Sequence, residues 1–345
     1  MADLLENFRL YLIAFLLPLG LSLALTPLLR LAALALGQVD QPTDIKTHKI
    51  PTPLFGGVAV ALAVSASLIV MRFYTSFPTG TLRDLRVILA GGAVMFALGL
   101  IDDFKKPNGL GVRTKFTIQF LVAFFTVFYG IRIRFVEPQY LSFVLSLLWI
   151  VGVSNAFNII DIMDGLSAGQ VAVASFGFLL IAFPSESIYV NFASAALAGA
   201  VLGFLPYNFS KNMKIFMGDS GSLFCGFVLA LVAMGTQYTK VNPLGVYAPL
   251  FILALPIYDT IFVSIMRLRR GHSPFLGSKD HFALRLEKLG FSRPRIAFGA
   301  ALAAVALSVF AWFITQVPLV WGALICFVVG LEFILISLAI ARIKI

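Results

Sequence analysis

Apolar runs long enough to cross a lipid bilayer follow one another along almost the whole chain, with short polar segments between them. Because a helix needs about 20 apolar residues to span the hydrocarbon core, we predict eleven spans in the 345 residues. They lie near 8–36, 54–72, 87–101, 116–131, 140–154, 168–183, 188–206, 221–236, 246–265, 296–315 and 318–341. Only 12% of the residues are charged, against about 25% in a soluble domain. The pattern predicts an all-α polytopic integral membrane protein, one domain over residues 1–345, and excludes a water-soluble globule.

The segments between the spans form two sets that differ in charge. Together with Arg30, one set holds 19 of the 26 basic residues: it comprises 37–53, 102–115, 155–167, 207–220, 266–295 and the C-terminal tail. The other set holds seven: Arg9, Arg72, Arg83, Arg86, Arg132, Arg134 and Lys240. By the positive-inside rule, the first set is cytoplasmic, with the N-terminus outside and the C-terminus inside. The net charge of +10 is then explained by topology and contact with the anionic bilayer, and predicts no nucleic-acid partner.

The predicted cytoplasmic loops also contain most of the acids and all three histidines, which the positive-inside rule does not explain. Asp102 and Asp103 are adjacent carboxylates at the end of a span, and such a pair repels unless a cation or proton lies between them. Metal handling, proton transfer and a plain helix terminus all remain open for this pair. In the next loop, Asn155, Asn158, Asp161 and Asp164 recur every three residues, which places them along one side of a helix.

The remaining loops add glycines and cations. Asp219 stands between glycines just before the eighth span; it is either a helix cap or a ligand for Mg²⁺, which prefers oxygen donors and leaves room for substrate phosphates. In the first loop, Lys46 and His48 are either phosphate contacts or part of a solvated connector. In the fifth, Arg267 and Arg269 fit anionic lipid or a diphosphate-binding lid. With no G-x-S-x-G, zinc pattern or P-loop, the set favours Mg²⁺-assisted phosphoryl chemistry.

From Asp40 to about Gly290, these five ordered motifs resemble the polyprenyl-phosphate N-acetylhexosamine-1-phosphate transferases, of the glycosyltransferase family 4 type. The resemblance implies transfer of a sugar-1-phosphate from a UDP-N-acetylhexosamine to undecaprenyl phosphate with release of UMP. The lipid-linked amino sugar would start cell-wall or surface polysaccharide synthesis. It also implies Mg²⁺ (or Mn²⁺) as cofactor and an active site facing the cytoplasm at the inner (plasma) membrane. A homodimer is left open.

The resemblance assigns roles by motif. It implies Asp219 as the main metal ligand with Asn158 as a second. It implies catalytic roles for five residues: Asp102, Asp103, Asp161, Asp164 and His281. Lys115 would contact the diphosphate and Phe216 would stack on the uracil ring. The other expected substrate-binding residues are Lys46, His48, Asn155, Arg267 and Arg269.

Two positions depart from the family pattern. Ile162 stands where the family usually has glycine, and the usual His-x-His-His of the fifth loop reads His281-Phe282-Ala283-Leu284. The absence of a His-His-His-Phe-Glu run favours the branch that uses GlcNAc-1-phosphate over the muramoyl-pentapeptide branch. From another class, an ion-coupled transporter would carry its acids near mid-bilayer, whereas nearly all acids here lie at span ends, Asp259 and Glu332 excepted.

Overall fold

Helices occupy every predicted span in the computed structural model, which describes residues 2–42, 50–77, 79–183 and 188–343, with side chains from Phe8 onward. The first eight are α1 (Ala2–Ala35), α2 (Gly56–Tyr74), α3 (Thr79–Phe104), α4 (Val112–Phe128), α5 (Gln139–Ile160), α6 (Leu166–Ala182), α7 (Ile188–Phe209) and α8 (Gly218–Gly235). A short 3₁₀ helix, Pro243–Tyr247, precedes α9 (Ala248–Ile252), α10 (Ala254–Arg269), α11 (Phe282–Lys288), α12 (Arg293–Gln316) and α13 (Leu319–Ala341).

The helices confirm a polytopic, multi-pass membrane protein. Among the described residues, eight helices are long and apolar enough to cross a bilayer, and a bent pair would make a ninth. The helices α4 and α6 have 17 residues each, slightly fewer than a crossing normally needs. The count of eleven and the orientation of the termini therefore stay predictions.

The bent pair consists of the segment Pro243–Ile252 and helix α10, which meet at 72°. A continuous helix would need a hydrogen bond from the backbone nitrogen of Pro256 to the carbonyl of Ile252. Proline has no N–H to donate and its ring clashes with that carbonyl. The sequence pattern predicted one span here, and the structure breaks it into two helices.

Helix α8 lies at the centre of the bundle. It is apolar around its whole circumference and 83% of its apolar window is buried, as expected of a core helix. It packs against α2, α3, α5 and α7. The helix α13 lies at the periphery, with 6% of its window buried. Because α8 is held on all sides, the residues at its first turn have a fixed position.

One detail differs from a purely α-helical chain. Val39–Asp40 and Thr52–Pro53 pair as two antiparallel strands, β1 and β2, with Val39 opposite Pro53. The two strands are held to each other and to the fourth loop, since Leu54 donates its N–H to the carbonyl of Gln38 and Phe216 donates its N–H to that of Pro53.

Candidate active site

A cavity of about 380 Å³ opens at one end of the bundle, and all five predicted loops or their flanks contribute to its wall. Asp40 comes from the first loop, Lys106 from the second, Asp161 from the third, Asp219 from the fourth and His281 from the fifth. The shared polar site that the sequence predicted is therefore formed by residues far apart in the chain.

Asp219 stands between two lysines. Lys106 Nζ lies 3.1 Å from its Oδ1, and Lys115 Nζ lies 3.1 Å from its Oδ2. Each ammonium group also bonds a second carboxylate, Lys106 to Asp103 at 2.8 Å and Lys115 to Asp102 at 2.6 Å. Three carboxylates and two ammonium groups thus alternate in one partly desolvated network, which holds opposite charges within hydrogen-bond reach.

The charge of Lys106 is stabilised by this network. Burial alone would lower the pKa of its ammonium group, but the negative charges of Asp219 and Asp103 outweigh burial and raise the pKa above its ordinary value. Lys106 is therefore a permanent cation at the cavity wall.

Asp103 caps the first turn of α8. Its Oδ1 accepts the N–H of Asp219 and its Oδ2 accepts that of Ser220, both at 3.0 Å. A carboxylate at a helix N-terminus satisfies free N–H groups and complements the helix dipole. Gly218, with φ of +72°, makes the approach possible, since a Cβ there would lie 2.6 Å from Asp103 Oδ2. Asp103 thus fixes the position of Asp219.

Asp102 organises the turn after α3. Its Oδ1 accepts the N–H of Leu110 at 2.5 Å, and its Oδ2 accepts a hydrogen bond from Lys115. The two adjacent aspartates have different neighbours, because consecutive helical residues point about 100° apart. Neither aspartate lines the cavity. Asp103 accepts a hydrogen bond from Lys106 and Asp102 accepts one from Lys115, and both lysines also bond Asp219, which does line it.

The third loop and the end of α5 supply oxygen atoms to the cavity wall. Asn158, Asp161 and Asp164 all line the cavity. The predicted single helix face does not explain this, because α5 ends at Ile160 and both aspartates lie beyond it. Asn158 donates from Nδ2 to Ser222 Oγ at 2.9 Å, which links α5 to α8. Burial raises the pKa of the Asp161 carboxyl to about 7, and the negative charge of Asp219 adds to the effect.

The fourth loop brings a cation and an aromatic ring together. Lys214 Nζ pairs with Asp164 Oδ2 at 2.5 Å and lies 5.5 Å from the centroid of the Phe216 ring. The loop is held to the third by Asn208, which accepts the N–H of Gly165 and donates to the carbonyl of Ile215. Phe216 lines the cavity, where a flat ring offers a stacking surface.

His281, at the start of α11, is held by a buried acid. Its Nδ1 lies 2.7 Å from Asp259 Oδ2, and Asp259 Oδ1 accepts the N–H of Phe282 at 3.1 Å. Since a carboxylate accepts, Nδ1 carries the hydrogen in this contact and Nε2 is left for a ligand. His281 lines the cavity and Asp259 is fully buried behind it. Asp259 therefore positions the one histidine that remains of the family motif.

The other predicted substrate-binding residues are placed differently. Arg267 lines the cavity and is tied to the fifth loop through Ser278 Oγ at 2.9 Å. Arg269 is exposed and is not part of the cavity wall. Asn155 lies outside that wall as well, with its Nδ2 donating to Gln119 Oε1 at 2.6 Å. Lys46 and His48 fall outside the described residues.

Sequence reasoning gave no site role to five charged residues that the structure places at the cavity or behind it: Asp40, Lys106, Lys214, Asp259 and Arg293. Lys106 had a detectable signal, because it follows Asp103 at the i,i+3 spacing of a helical ion pair. No local pattern would have paired Asp259 with His281, since 22 residues separate them.

The donor atoms at the wall suit a magnesium ion that is also bound by a substrate. Among the described residues, no group of three or more Asp, Glu, His or Cys side chains forms a metal cage. Mg²⁺ often takes only one or two protein carboxylates and completes its shell with water and phosphate oxygens. Asp219 and Asn158, which both line the cavity, fit that requirement.

Comparison with known proteins shows which family the chain belongs to. The profile of glycosyl transferase family 4 matches residues 85–237, which include Asp102, Asp103, Asp161, Asp164 and Asp219 but not His281. A probable undecaprenyl-phosphate N-acetylglucosaminyl 1-phosphate transferase of Bacillus subtilis is 32% identical over 289 residues, covering 81% of this chain and 78% of the relative.

Two further relatives carry similar names. The decaprenyl-phosphate N-acetylglucosaminephosphotransferase of Mycolicibacterium smegmatis is 32% identical, over 79% of this chain and 77% of its own. The undecaprenyl-phosphate alpha-N-acetylglucosaminyl 1-phosphate transferase of Escherichia coli K12 is 28% identical, over 81% of this chain and 77% of the relative. With its five loops gathered around one cavity, the chain belongs to glycosyl transferase family 4, among the polyprenyl-phosphate N-acetylhexosamine-1-phosphate transferases.

Proposed function

We propose that this chain transfers N-acetylglucosamine-1-phosphate from UDP-N-acetylglucosamine to undecaprenyl phosphate and releases UMP. The observation that carries the proposal is the Asp219 carboxylate held between Lys106 and Lys115 in a cavity at one end of the bundle. The two ammonium groups of this array can bind phosphate oxygens. The names of the relatives supply the acceptor class and the sugar.

In the proposed reaction, an oxygen of the lipid phosphate attacks the β-phosphorus of the UDP-sugar. A new P–O–P bond forms, the bond between the β-phosphorus and the bridging oxygen breaks, and UMP leaves with that oxygen. Because a phosphate monoester has a second pKa of about 6, most of the lipid phosphate is already the dianion at neutral pH. Positioning and charge neutralisation therefore account for more of the rate than a strong base does.

The residues that line the cavity and those bonded to them divide this work. Lys106 and Lys115 exchange Asp219 for oxygens of the diphosphate and carry its developing charge. Phe216 stacks on the uracil ring, beside the ion pair of Lys214 and Asp164. His281 contacts the bound substrate through Nε2, while Asp259 keeps the ring in place.

Asp219 and Asn158 would hold Mg²⁺, or Mn²⁺ in its place. When bound, the ion neutralises charge on the phosphate oxygens and helps to align them. Asp103 keeps Asp219 in position through the first turn of α8. Asp102 keeps Lys115 in position by accepting a hydrogen bond from its ammonium group.

The cavity faces the cytoplasm of the inner (plasma) membrane in this proposal. The positive-inside rule supports that orientation, since the five loops at the cavity carry most of the basic residues. The lipid-linked product would start polysaccharide synthesis. A transporter is disfavoured, because the polar network gathers at helix ends rather than along a path through the bundle.

The purified chain in detergent, supplied with UDP-N-acetylglucosamine, undecaprenyl phosphate and Mg²⁺, should release UMP and form the lipid product. Lys106→Met should abolish most turnover, whereas Lys105→Met should not, because Lys105 is the exposed neighbour of the bridging lysine. UMP release without the lipid phosphate, or equal activity of the two variants, would contradict the proposal. Replacing the donor by UDP-N-acetylgalactosamine tests the sugar separately.

A further inference from the structure

A second cavity, of about 680 Å³, lies between helices α3 and α4 and is distinct from the site described above. The first turns of α3 and the last two turns of α4 form its walls. No residue is common to the linings of the two cavities. Several apolar side chains of this groove are exposed on the bundle, among them Val94 at 45% and Phe125 at 57%.

The charged end of this groove and the network around Asp219 lie near opposite ends of helix α3. Arg83 in the groove and Asp103 in the catalytic network are twenty residues apart on the single helix α3. At 1.5 Å per residue this is about 30 Å, which equals the thickness of the hydrocarbon core. A lipid whose phosphate is in one site therefore cannot place the same phosphate in the other.

The groove changes from charged to apolar along its length. Arg83 and Arg86 lie in the second turn of α3, and Val87, Ala90 and Val94 follow toward the middle of the helix. The stretch from Arg83 to Val94 measures about 16 Å by helical rise, roughly half of the hydrocarbon core. A ligand of this shape has an anionic head and an apolar tail one leaflet long.

The cationic end has more positive charge than its acids neutralise. Arg83 pairs with the buried Asp84 at 3.1 Å, but exposed Arg86 makes no ion pair with another described residue. The loop after α4 begins beside Arg83, since a Cβ on Gly130 would lie 3.7 Å from Arg83 Nη2. That loop contains two basic residues, Arg132 and Arg134, and one acidic residue, Glu137. Arg83 and Arg86 thus line the groove, and two further arginines follow in the loop that begins beside Arg83.

We propose that this groove binds an anionic phospholipid of the leaflet opposite the catalytic cavity. Arg86 and Arg83 contact its phosphate, and one acyl chain lies along Val87, Ala90 and Val94. Guanidinium groups at the membrane boundary bind phosphate by paired, charge-assisted hydrogen bonds. The polyprenyl acceptor does not fit, since its phosphate must reach Lys106 and Lys115 on the far side.

The test uses the full chain in a neutral detergent. Thermal unfolding is followed with phosphatidylglycerol, with phosphatidylcholine of the same acyl chains, and with inorganic phosphate. Phosphatidylglycerol should raise the unfolding temperature by several degrees, because a ligand that binds only the folded state stabilises it. Phosphatidylcholine and phosphate should not. Equal effects of the two lipids, or a full effect of phosphate alone, would refute the proposal.

Two variants test the contacts to the lipid phosphate and to the acyl chain separately. Arg86→Gln should weaken phosphatidylglycerol binding about tenfold, because one charged hydrogen bond to the phosphate is lost. The control is Arg72→Gln, which replaces an exposed arginine at the end of α2 and should leave phosphatidylglycerol binding unchanged. Ala90→Trp keeps both arginines but fills the groove, and should also abolish the lipid preference. Both altered residues are exposed, so UDP-sugar turnover should persist as evidence of folding. Unchanged phosphatidylglycerol binding in Arg86→Gln or Ala90→Trp would overturn the assignment.

Discussion

At Gly99 the backbone of α3 lies against the backbone at the start of α8, and adding one methyl group there should displace the Asp219 carboxylate. A Cβ on Gly99 would lie 2.3 Å from the carbonyl oxygen of Asp219 and 2.5 Å from the backbone nitrogen of Ser220. Ordinary contact begins near 3.4 Å, so the two backbones must separate by about 1 Å. Because the nearest atoms are backbone atoms, no flexible side chain can absorb the shift.

The expected cost of Gly99→Ala follows from that displacement. Overpacking a tight contact costs about 1–3 kcal/mol, while alanine returns up to about 1 kcal/mol through its better helix propensity. The net loss of stability should therefore be small. Turnover should fall far more, by roughly 10²-fold, as for a 1 Å misplacement of a reacting group.

The assay measures UMP release and thermal unfolding on the same preparations. Gly152→Ala in α5 is the matched control, since a Cβ there meets nothing within 4 Å. The control should keep the parent rate and lose no stability. If Gly99→Ala turned over at the parent rate, the positioning of Asp219 by this helix contact would not matter for the reaction. If both variants lost activity equally, helix propensity rather than packing would be the cause.

Three further outcomes follow from the site. Asp219→Asn should remove nearly all UMP release at saturating Mg²⁺ while the protein still elutes as a folded monodisperse species; activity near the parent value would exclude its role in metal binding. His281→Gln and Asp259→Asn should each lower kcat/KM, by about 10²-fold for His281, and the double variant should lose little more, whereas additive losses would mean independent roles. Since the pKa of Asp161 is raised to about 7 in the folded chain, its contribution to stability falls as pH rises from about 4 to about 7. Without metal, Asp161→Asn should therefore gain unfolding temperature relative to the parent over that pH range, and a constant difference would contradict the raised pKa.

The sequence by itself predicted the helices well, because the signal for a span is local. Every predicted span overlaps a helix, from Ala2–Ala35 to Leu319–Ala341, and only the stretch around Leu253 is broken. The gathering of the loops was also predictable, since alternate loops of a polytopic chain emerge on one side of the membrane. Asp161 and Asp164 line the cavity for this reason.

Tertiary structure alone decided which partner each charged group has. Lys105 and Lys106 are neighbours in the sequence, yet only Lys106 joins Asp103 to Asp219, because the end of α3 turns that side chain toward α8. Asp103 and Asp219 are 116 residues apart, and they meet because α3 and α8 touch at Gly99. Helix formation depends on residues a few positions away, whereas these ion pairs depend on how distant helices pack, and no local pattern contains that information.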